Sequence, residues 1–369
     1  MANKKESWIR PDIAAMEPYT PIQPFDVLSK RLGRKVEEIT KLDANENPYG
    51  PSPQALEALT AERWFHIYPD PEAGALRSAL SVFLNFPSQR LMAGMGADEL
   101  IDLVLRALLS PDDVVINCPP SFGMYPFSTA VNMGQLVTVP RRQDFALDIE
   151  AIKTAVADNP SAKVLFICSP NNPDGSVVSS ADLLALLELP IVVVLDEAYI
   201  EFAAADGHES RLHWALDHDN LVVLRTFSKL AGLAGLRVGY GAFPQWLLPH
   251  LWKIKQPYNV NVAASAAAIA SLQEPSWMME KVSLIVAERE RMVAQLAEFD
   301  FLRAYPSRSN FVLFRVLGRS AAQLKLDLAQ EGLLVRYFDK PGLENCIRIS
   351  AGRPQDTDRL IAALQALNS

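Results

Sequence analysis

The chain has 369 residues, 49% of them hydrophobic and 21% charged, with 35 Lys+Arg against 43 Asp+Glu for a net charge of −8. That length exceeds what one hydrophobic core usually organises, so two lobes are expected. The acidic balance, without a basic block, argues against nucleic acid as a partner, and no apolar run approaches membrane-spanning length.

In chain order, residues 1–45 are proline-rich with one short helical pattern, Phe25 to Leu32, and read as an arm; no secretory apolar stretch follows Met1-Ala2-Asn3-Lys4, so a cytoplasmic location is expected. Helices are predicted from Pro51 to Leu59 and from Gly74 to Leu84, with an irregular stretch from Trp64 to Glu72 between them. Met92 to Ala97 leads into a helix whose apolar positions 100, 101, 104, 105 and 108 share one face. Strands are predicted at Val114–Asn117, Gln135–Val139, Lys163–Cys168, Ile191–Leu195, Leu221–Leu224 and Val238–Ala242, alternating with helices. This alternation predicts an α/β fold, a mostly parallel central sheet covered by helices. After an Ala-rich helix and a long connecting helix near residues 275–297, the strand Asn310–Phe314, a helix from Ala321 and two short strands predict a smaller α+β domain. The expected division is an arm at 1–45, a large domain at 46–270 and a small domain at 271–369.

Cys118, Cys168 and Cys346 are far apart, which suits free thiols in a reducing compartment and offers no zinc spacing. His208, His213 and His218 recur every five residues, so they do not share a helical face, and no metal site is expected.

The most informative segment is Thr226-Phe227-Ser228-Lys229, at the end of an apolar strand, with Arg237 eight residues past the lysine. A partly desolvated lysine loses its ammonium form readily and becomes an amine nucleophile toward a carbonyl. The hydroxyls of Thr226 and Ser228 and the guanidinium of Arg237 suit a phosphate dianion beside it. An aldehyde that carries a phosphate is pyridoxal 5′-phosphate. A second strand, Ile191 to Leu195, ends in Asp196-Glu197-Ala198-Tyr199. A carboxylate there is costly unless it meets a cation, and a pyridinium nitrogen is such a cation. Tyr199 is placed to donate to the ring's phenolic oxygen. Gly96-Ala97-Asp98 opens a helix, whose free N–H groups suit the phosphate, while the Asp98 side chain is also a simple cap. Ligands of such sheets bind beyond the carboxyl ends of the strands, where these groups converge.

Asp196-Glu197-Ala198-Tyr199, Ser169-Pro170-Asn171-Asn172-Pro173-Asp174-Gly175 and Ser228-Lys229 with Gly235-Leu236-Arg237 resemble the fold-type I aminotransferases that depend on pyridoxal phosphate. Leu42-Asp43-Ala44-Asn45-Glu46-Asn47-Pro48 and the loop from Leu230 to Tyr240 are most similar to the histidinol-phosphate aminotransferase family. The resemblance implies Lys229 as the cofactor-bearing base, Asp196 on the ring nitrogen, Asn172 and Tyr199 at the phenolic oxygen and Tyr125 stacked on the ring. It implies Ala97, Asp98, Thr226, Ser228 and Arg237 at the phosphate, with Tyr68 reaching it from a neighbouring subunit of a homodimer with shared active sites. Substrate contacts are implied for Tyr19, Asn47, Arg336 and Arg348; for Arg336 a structural salt bridge is an equally open reading. Asp174 stands where the family usually has threonine, and Thr20-Pro21 follows Tyr19 where it usually has Pro-Gly. The implied reaction joins L-histidinol phosphate and 2-oxoglutarate (imidazole acetol phosphate and glutamate in reverse) in histidine biosynthesis. An aromatic amino-acid aminotransferase and a phosphothreonine-type decarboxylase are the alternatives.

Overall fold

The computed structural model describes residues 8–18 and 22–367. In chain order the strands are β1 (Thr40–Leu42), β2 (Leu91–Gly94), β3 (Val114–Asn117), β4 (Gln135–Thr138), β5 (Ala162–Cys168), β6 (Val192–Asp196), β7 (Leu221–Thr226), β8 (Gly239–Ala242), β9 (Leu302–Ala304), β10 (Phe311–Val316), β11 (Leu333–Tyr337) and β12 (Cys346–Ser350). The larger sheet has the order β2-β8-β7-β6-β5-β3-β4. Strands β3 to β7 run parallel to one another, and β8 runs antiparallel to both β7 and β2.

The sequence accounts for the burial of this sheet on both faces. Successive side chains of a strand point to opposite faces. Leu165, Ile167, Val193, Leu195, Leu221 and Val223 join one apolar cluster. Val164, Phe166, Val194, Val222 and Leu224, the alternate residues, join another on the opposite face. Continuous apolar runs are the mark of a parallel strand covered by helices on each side. The helices Gly74–Leu84, Ile149–Asp158, Ser180–Leu187 and Val262–Leu272 supply the first cluster, whereas Ala97–Leu108 and Leu248–Ile254 supply the second. In register, Cys168 lies opposite Asp196 and Asp196 opposite Leu224, so the carboxyl ends of β5, β6 and β7 are level.

The second sheet has the order β1-β11-β12-β10-β9. Its first strand comes from the proline-rich opening of the chain: Thr40, Lys41 and Leu42 pair with Leu333, Leu334 and Val335. The 22-residue helix Pro275–Leu296 ties the sheets together. Its Met278, Val282 and Ile285 sit in the larger sheet's core and its Met292 and Leu296 in the smaller one's. Sequence periodicity did not anticipate β2, because a short Leu-Met-Ala-Gly run becomes a strand only through its non-local pairing with β8. Nor did it anticipate the closing helix Pro354–Ala366. Among the described residues, no helix is long and apolar enough to cross a membrane.

Ile285 is fully buried at this junction while its neighbour Leu284 is 41% exposed. Ile285→Ala should therefore lower the unfolding free energy by about 2–5 kcal/mol, and Leu284→Ala by no more than about 0.5 kcal/mol, read from denaturant midpoints.

Candidate active site

Strand β7 delivers the lysine. Thr226 caps the short helix Phe227–Leu230 by accepting from Ser228 N at 3.1 Å, and its Oγ1 also lies 3.0 Å from Ser228 Oγ. Lys229 Nζ donates to the Ala44 carbonyl at 3.1 Å and lies 5.9 Å from the centre of the Tyr199 ring. Loss of water, then the nearby Arg348 cation, pushes its amine down to about 8 from 10.5. The loop after it is held against the opening segment. Gly232 has φ +68°, and a Cβ there would meet the Gly50 carbonyl oxygen at 2.4 Å, so only glycine permits this approach. Asn47 Nδ2 donates to both Lys229 O and Leu230 O at 3.1 Å, and its Oδ1 accepts from Tyr49 N. The substrate contact expected of Asn47 is corrected accordingly: its buried amide is committed to the backbone under the lysine.

Asp196 ends β6 and is 3% exposed. Its Oδ2 accepts from the Tyr125 phenol at 2.8 Å and its Oδ1 from Ala198 N at 3.1 Å. Among the described residues no lysine or arginine forms an ion pair with it, and burial pushes its carboxyl up to about 6 despite those two donors. A buried carboxylate that lacks a cation fits a pyridinium nitrogen, and with a desolvated lysine on the next strand the residues present fit pyridoxal phosphate.

Tyr125 needs a second correction. It was expected to stack on the cofactor ring, yet it is fully buried, with its own ring stacked 4.6 Å from Phe166 and the edge of Phe122 against it at 5.6 Å. No face is left for a ligand. Tyr125, in the helix Met124–Val131, orients Asp196, and the partly exposed aromatic just before that helix is Phe122.

Gly96, Ala97 and Asp98, the residues expected at the phosphate, form the start of the helix Ala97–Leu108, whose first N–H groups have no intrahelical acceptor. Thr226 lies opposite Gly239 in the sheet, and a Cβ on Gly239 would meet Ala97 N at 2.7 Å, so the lysine strand and the helix start adjoin. Arg237 Nη2 donates to Asp98 Oδ2 at 3.2 Å across the same gap.

The second sheet supplies the arginines. Arg348 is 5% exposed, donates from Nη1 to Asn172 Oδ1 and from Nη2 to the Asp43 carbonyl, each at 2.6 Å, and lies over the rings of Phe311 and Phe338. Arg336 is its direct cross-strand partner, so both share one face, and Arg336 also lies over Phe338. Tyr199 accepts from Asn45 Nδ2 at 3.1 Å. Tyr68 is 79% exposed and stacked on Tyr258 at 4.7 Å, apart from these groups within the one chain. Tyr19 lies outside the described residues.

Residues that sequence reasoning missed are Asn45, Asn310 and Ser350. Asn45, at φ +54°, accepts at its carbonyl from Asn310 Nδ2 (3.0 Å) and shares two bonds with Ser350 Oγ (2.9 and 3.0 Å). Asn tolerates this left-handed conformation better than most residues, which was the available signal.

The amine of Lys229 titrates near 8, so capture of pyridoxal phosphate by the apoprotein should quicken as pH rises toward 8 and level off above it, where the free base dominates. Arg348→Gln removes a cation that favours the neutral amine, and the midpoint should move upward, as stopped-flow absorbance would report.

The sequence model of the family described as aminotransferase class I and II matches residues 37–364. Over 361 residues the chain is 51% identical to a protein of Nicotiana tabacum named histidinol-phosphate aminotransferase, chloroplastic, covering 98% of this chain and 86% of the relative. It is 50% identical to the histidinol-phosphate aminotransferase of Roseiflexus castenholzii, covering 97% of each. Its fold superposes with a TM-score of 0.88 and 29% identity on the crystal structure of histidinol-phosphate aminotransferase from Sinorhizobium meliloti in complex with pyridoxal-5′-phosphate, over 98% of each chain. With the lysine, the uncompensated aspartate and the paired arginines converging on one crevice, the chain belongs to the class I and II aminotransferases and, within them, to the histidinol-phosphate aminotransferase family.

Proposed function

We infer that this chain catalyses pyridoxal-phosphate-dependent transamination between L-histidinol phosphate and 2-oxoglutarate, the biosynthetic direction converting imidazole acetol phosphate and glutamate. The observation that carries this reading is near-full-length identity of about half to relatives of that name, joined to the Lys229, Asp196 and Arg348 constellation.

When bound, the cofactor supplies an electron sink for charge developing on the substrate carbon. Lys229, whose desolvated amine is pushed toward its neutral form, would be the residue that holds the cofactor through its aldehyde group. Lys229 Nζ would also serve as the base and acid that moves the proton of the amine-bearing substrate carbon, a task suited to an amine pushed down to about 8. Asp196, held by Tyr125 and Ala198 N, pairs with the ring N–H. Arg348 fixes the Asn172 amide by its oxygen, which leaves Nδ2 to donate to the phenolic oxygen beside Tyr199. Thr226, Ser228, Arg237 and the N–H groups of Ala97 and Asp98 hold the cofactor phosphate. Histidinol phosphate has no α-carboxylate, so Arg348 and Arg336 receive its phosphate in one half-reaction and a glutamate carboxylate in the other; a planar guanidinium suits both oxyanions.

The domain division proposed with this function keeps the lysine crevice on the large domain, 46–270, and the arginines on the small one, 271–369, with the opening segment joining them. Trp64, Phe65, Ile67, Tyr68 and Tyr258 are exposed together, which supports a homodimer in which Tyr68 reaches the partner's cofactor phosphate. A cytoplasmic location is proposed from the three free, buried cysteines, which suit a reducing compartment.

Adding L-histidinol phosphate alone to the reconstituted protein should abolish the visible band of the bound cofactor, and 2-oxoglutarate should restore it. A band that ignores histidinol phosphate but responds to phenylalanine or tyrosine would replace the substrate assignment; turnover by Lys229→Ala would sink the lysine assignment. Sedimentation should give a dimer that weakens with Tyr68→Ala and Trp64→Ala together, and an unchanged monomer would overturn the shared-site arrangement.

A further inference from the structure

A cavity of about 670 Å3 lies between the lobes, lined by residues other than those of the lysine crevice. Arg141, Arg142 and Phe145 line it from the segment after β4, and Arg303, Tyr305 and Arg315 from β9, β10 and their connection. Among the described residues no aspartate or glutamate lines it. Arg303 and Arg315 stand directly opposite one another in the β9–β10 register. Like charges so placed destabilise a strand pair unless an anion lies between them. Among the described residues neither forms an ion pair with an acid; Glu344 is the acid whose field reaches Arg315, from beyond ion-pair distance. Arg141 is turned to the carbonyls of Cys118 and Phe145, with the buried carboxyl of Asp174 in its field, whereas Arg142 pairs with Asp148 at 3.3 Å and also feels Asp144 and Asp182.

We propose that this cavity is a second anion site, which binds a small ligand carrying two or more phosphate groups and bridges the two lobes. Guanidinium forks match phosphate oxygens, and several of one sign along a concave wall focus the field on an incoming anion. The volume falls in the range of small-molecule sites, roughly 300–1,000 Å3. The wall is also ordered: Arg315 Nε donates to the Tyr305 phenol at 3.1 Å, and Tyr305 packs edge-on to Phe145 at 5.0 Å, one aromatic from each lobe. Hydrogen bonds lead from this wall toward the segment that carries Asn172. Arg141 Nε donates to the Cys118 carbonyl, and two residues on the Pro120 carbonyl accepts from Asn171 Nδ2 at 3.0 Å, next to Asn172.

The test is calorimetric titration of the holoenzyme, at fixed ionic strength and with saturating 2-oxoglutarate to occupy the substrate arginines, using pyrophosphate, tripolyphosphate and ATP. The wild type should bind at least one of them, and Arg303→Gln/Arg315→Gln should weaken that binding by about tenfold or more, the loss of charge-assisted hydrogen bonds, while KM for histidinol phosphate is unchanged. Binding of all three anions identifies the phosphate chain as the recognised group; binding of ATP alone identifies a nucleotide. Arg315→Glu turns the repelling pair into an attracting one, so it should raise the Tm of the ligand-free protein and remove any rise produced by the anion. Failure of all three to bind the wild type, binding that survives the double substitution, or a KM that rises in step with it would overturn the proposal. Because the lysine chemistry plays no part in these readouts, a failed substrate assignment and a failed anion site are separately visible.

Discussion

Hydrogen bonds from one short segment, 43–47, hold the reactive groups of both sheets in place. The Asp43 carbonyl accepts from Arg348 and the Ala44 carbonyl from Lys229. The Asn45 side chain bonds Tyr199 on one side and Ser350 on the other, while Asn47 fixes the backbone beneath the lysine. Because β1 immediately precedes this segment and is bonded into the smaller sheet, Arg348 and Lys229 are referenced to the same few peptide units. A shift of that segment would displace the base, the phenol and the arginine together. Buried polar groups of this kind have no water to fall back on, so each bond confers geometry as well as stability.

The electrostatics of the crevice follow from where the strands end. A carboxyl placed at the end of a strand buried on both faces loses water, and two neutral donors do not offset that loss for Asp196; its anionic form is disfavoured by roughly 3 kcal/mol relative to water. One strand over, Lys229 is pushed the opposite way in charge, toward its neutral amine, with Arg348 adding to the effect. Left alone, such an arrangement would be a defect of the fold. It becomes complementary once a cationic ring nitrogen faces the aspartate and a carbonyl carbon faces the amine.

The two lobes divide the labour by their chemistry. The larger sheet carries the desolvated lysine and aspartate, and the smaller one presents guanidinium groups over aromatic rings, where cation–π contact keeps them oriented without neutralising them. Arginines recur at the other junction of the lobes as well, where Arg303 and Arg315 face Arg141 and Arg142 across a cavity. Helix Pro275–Leu296 belongs to both cores, so the distance between the two sets of charges is governed by apolar packing.

The amino-acid sequence by itself determined the central sheet and the cofactor chemistry. Apolar runs that end in Asp196 and in Thr226-Phe227-Ser228-Lys229 mark buried strands with reactive residues at their carboxyl ends, and that is a local pattern of burial and charge. Only the tertiary structure decided what Tyr125 and Asn47 do, because a tyrosine in an aromatic stretch and an asparagine in a signature motif carry no record of which neighbour their polar atoms meet. The same holds for β2, which needs β8 beside it to be a strand, and for Asn45, whose side-chain partners are Tyr199, just past β6, and Ser350 in β12. Strand ends and charges are properties of a stretch of chain; hydrogen-bond partners far apart in sequence exist only after the lobes have packed, since no local periodicity encodes them.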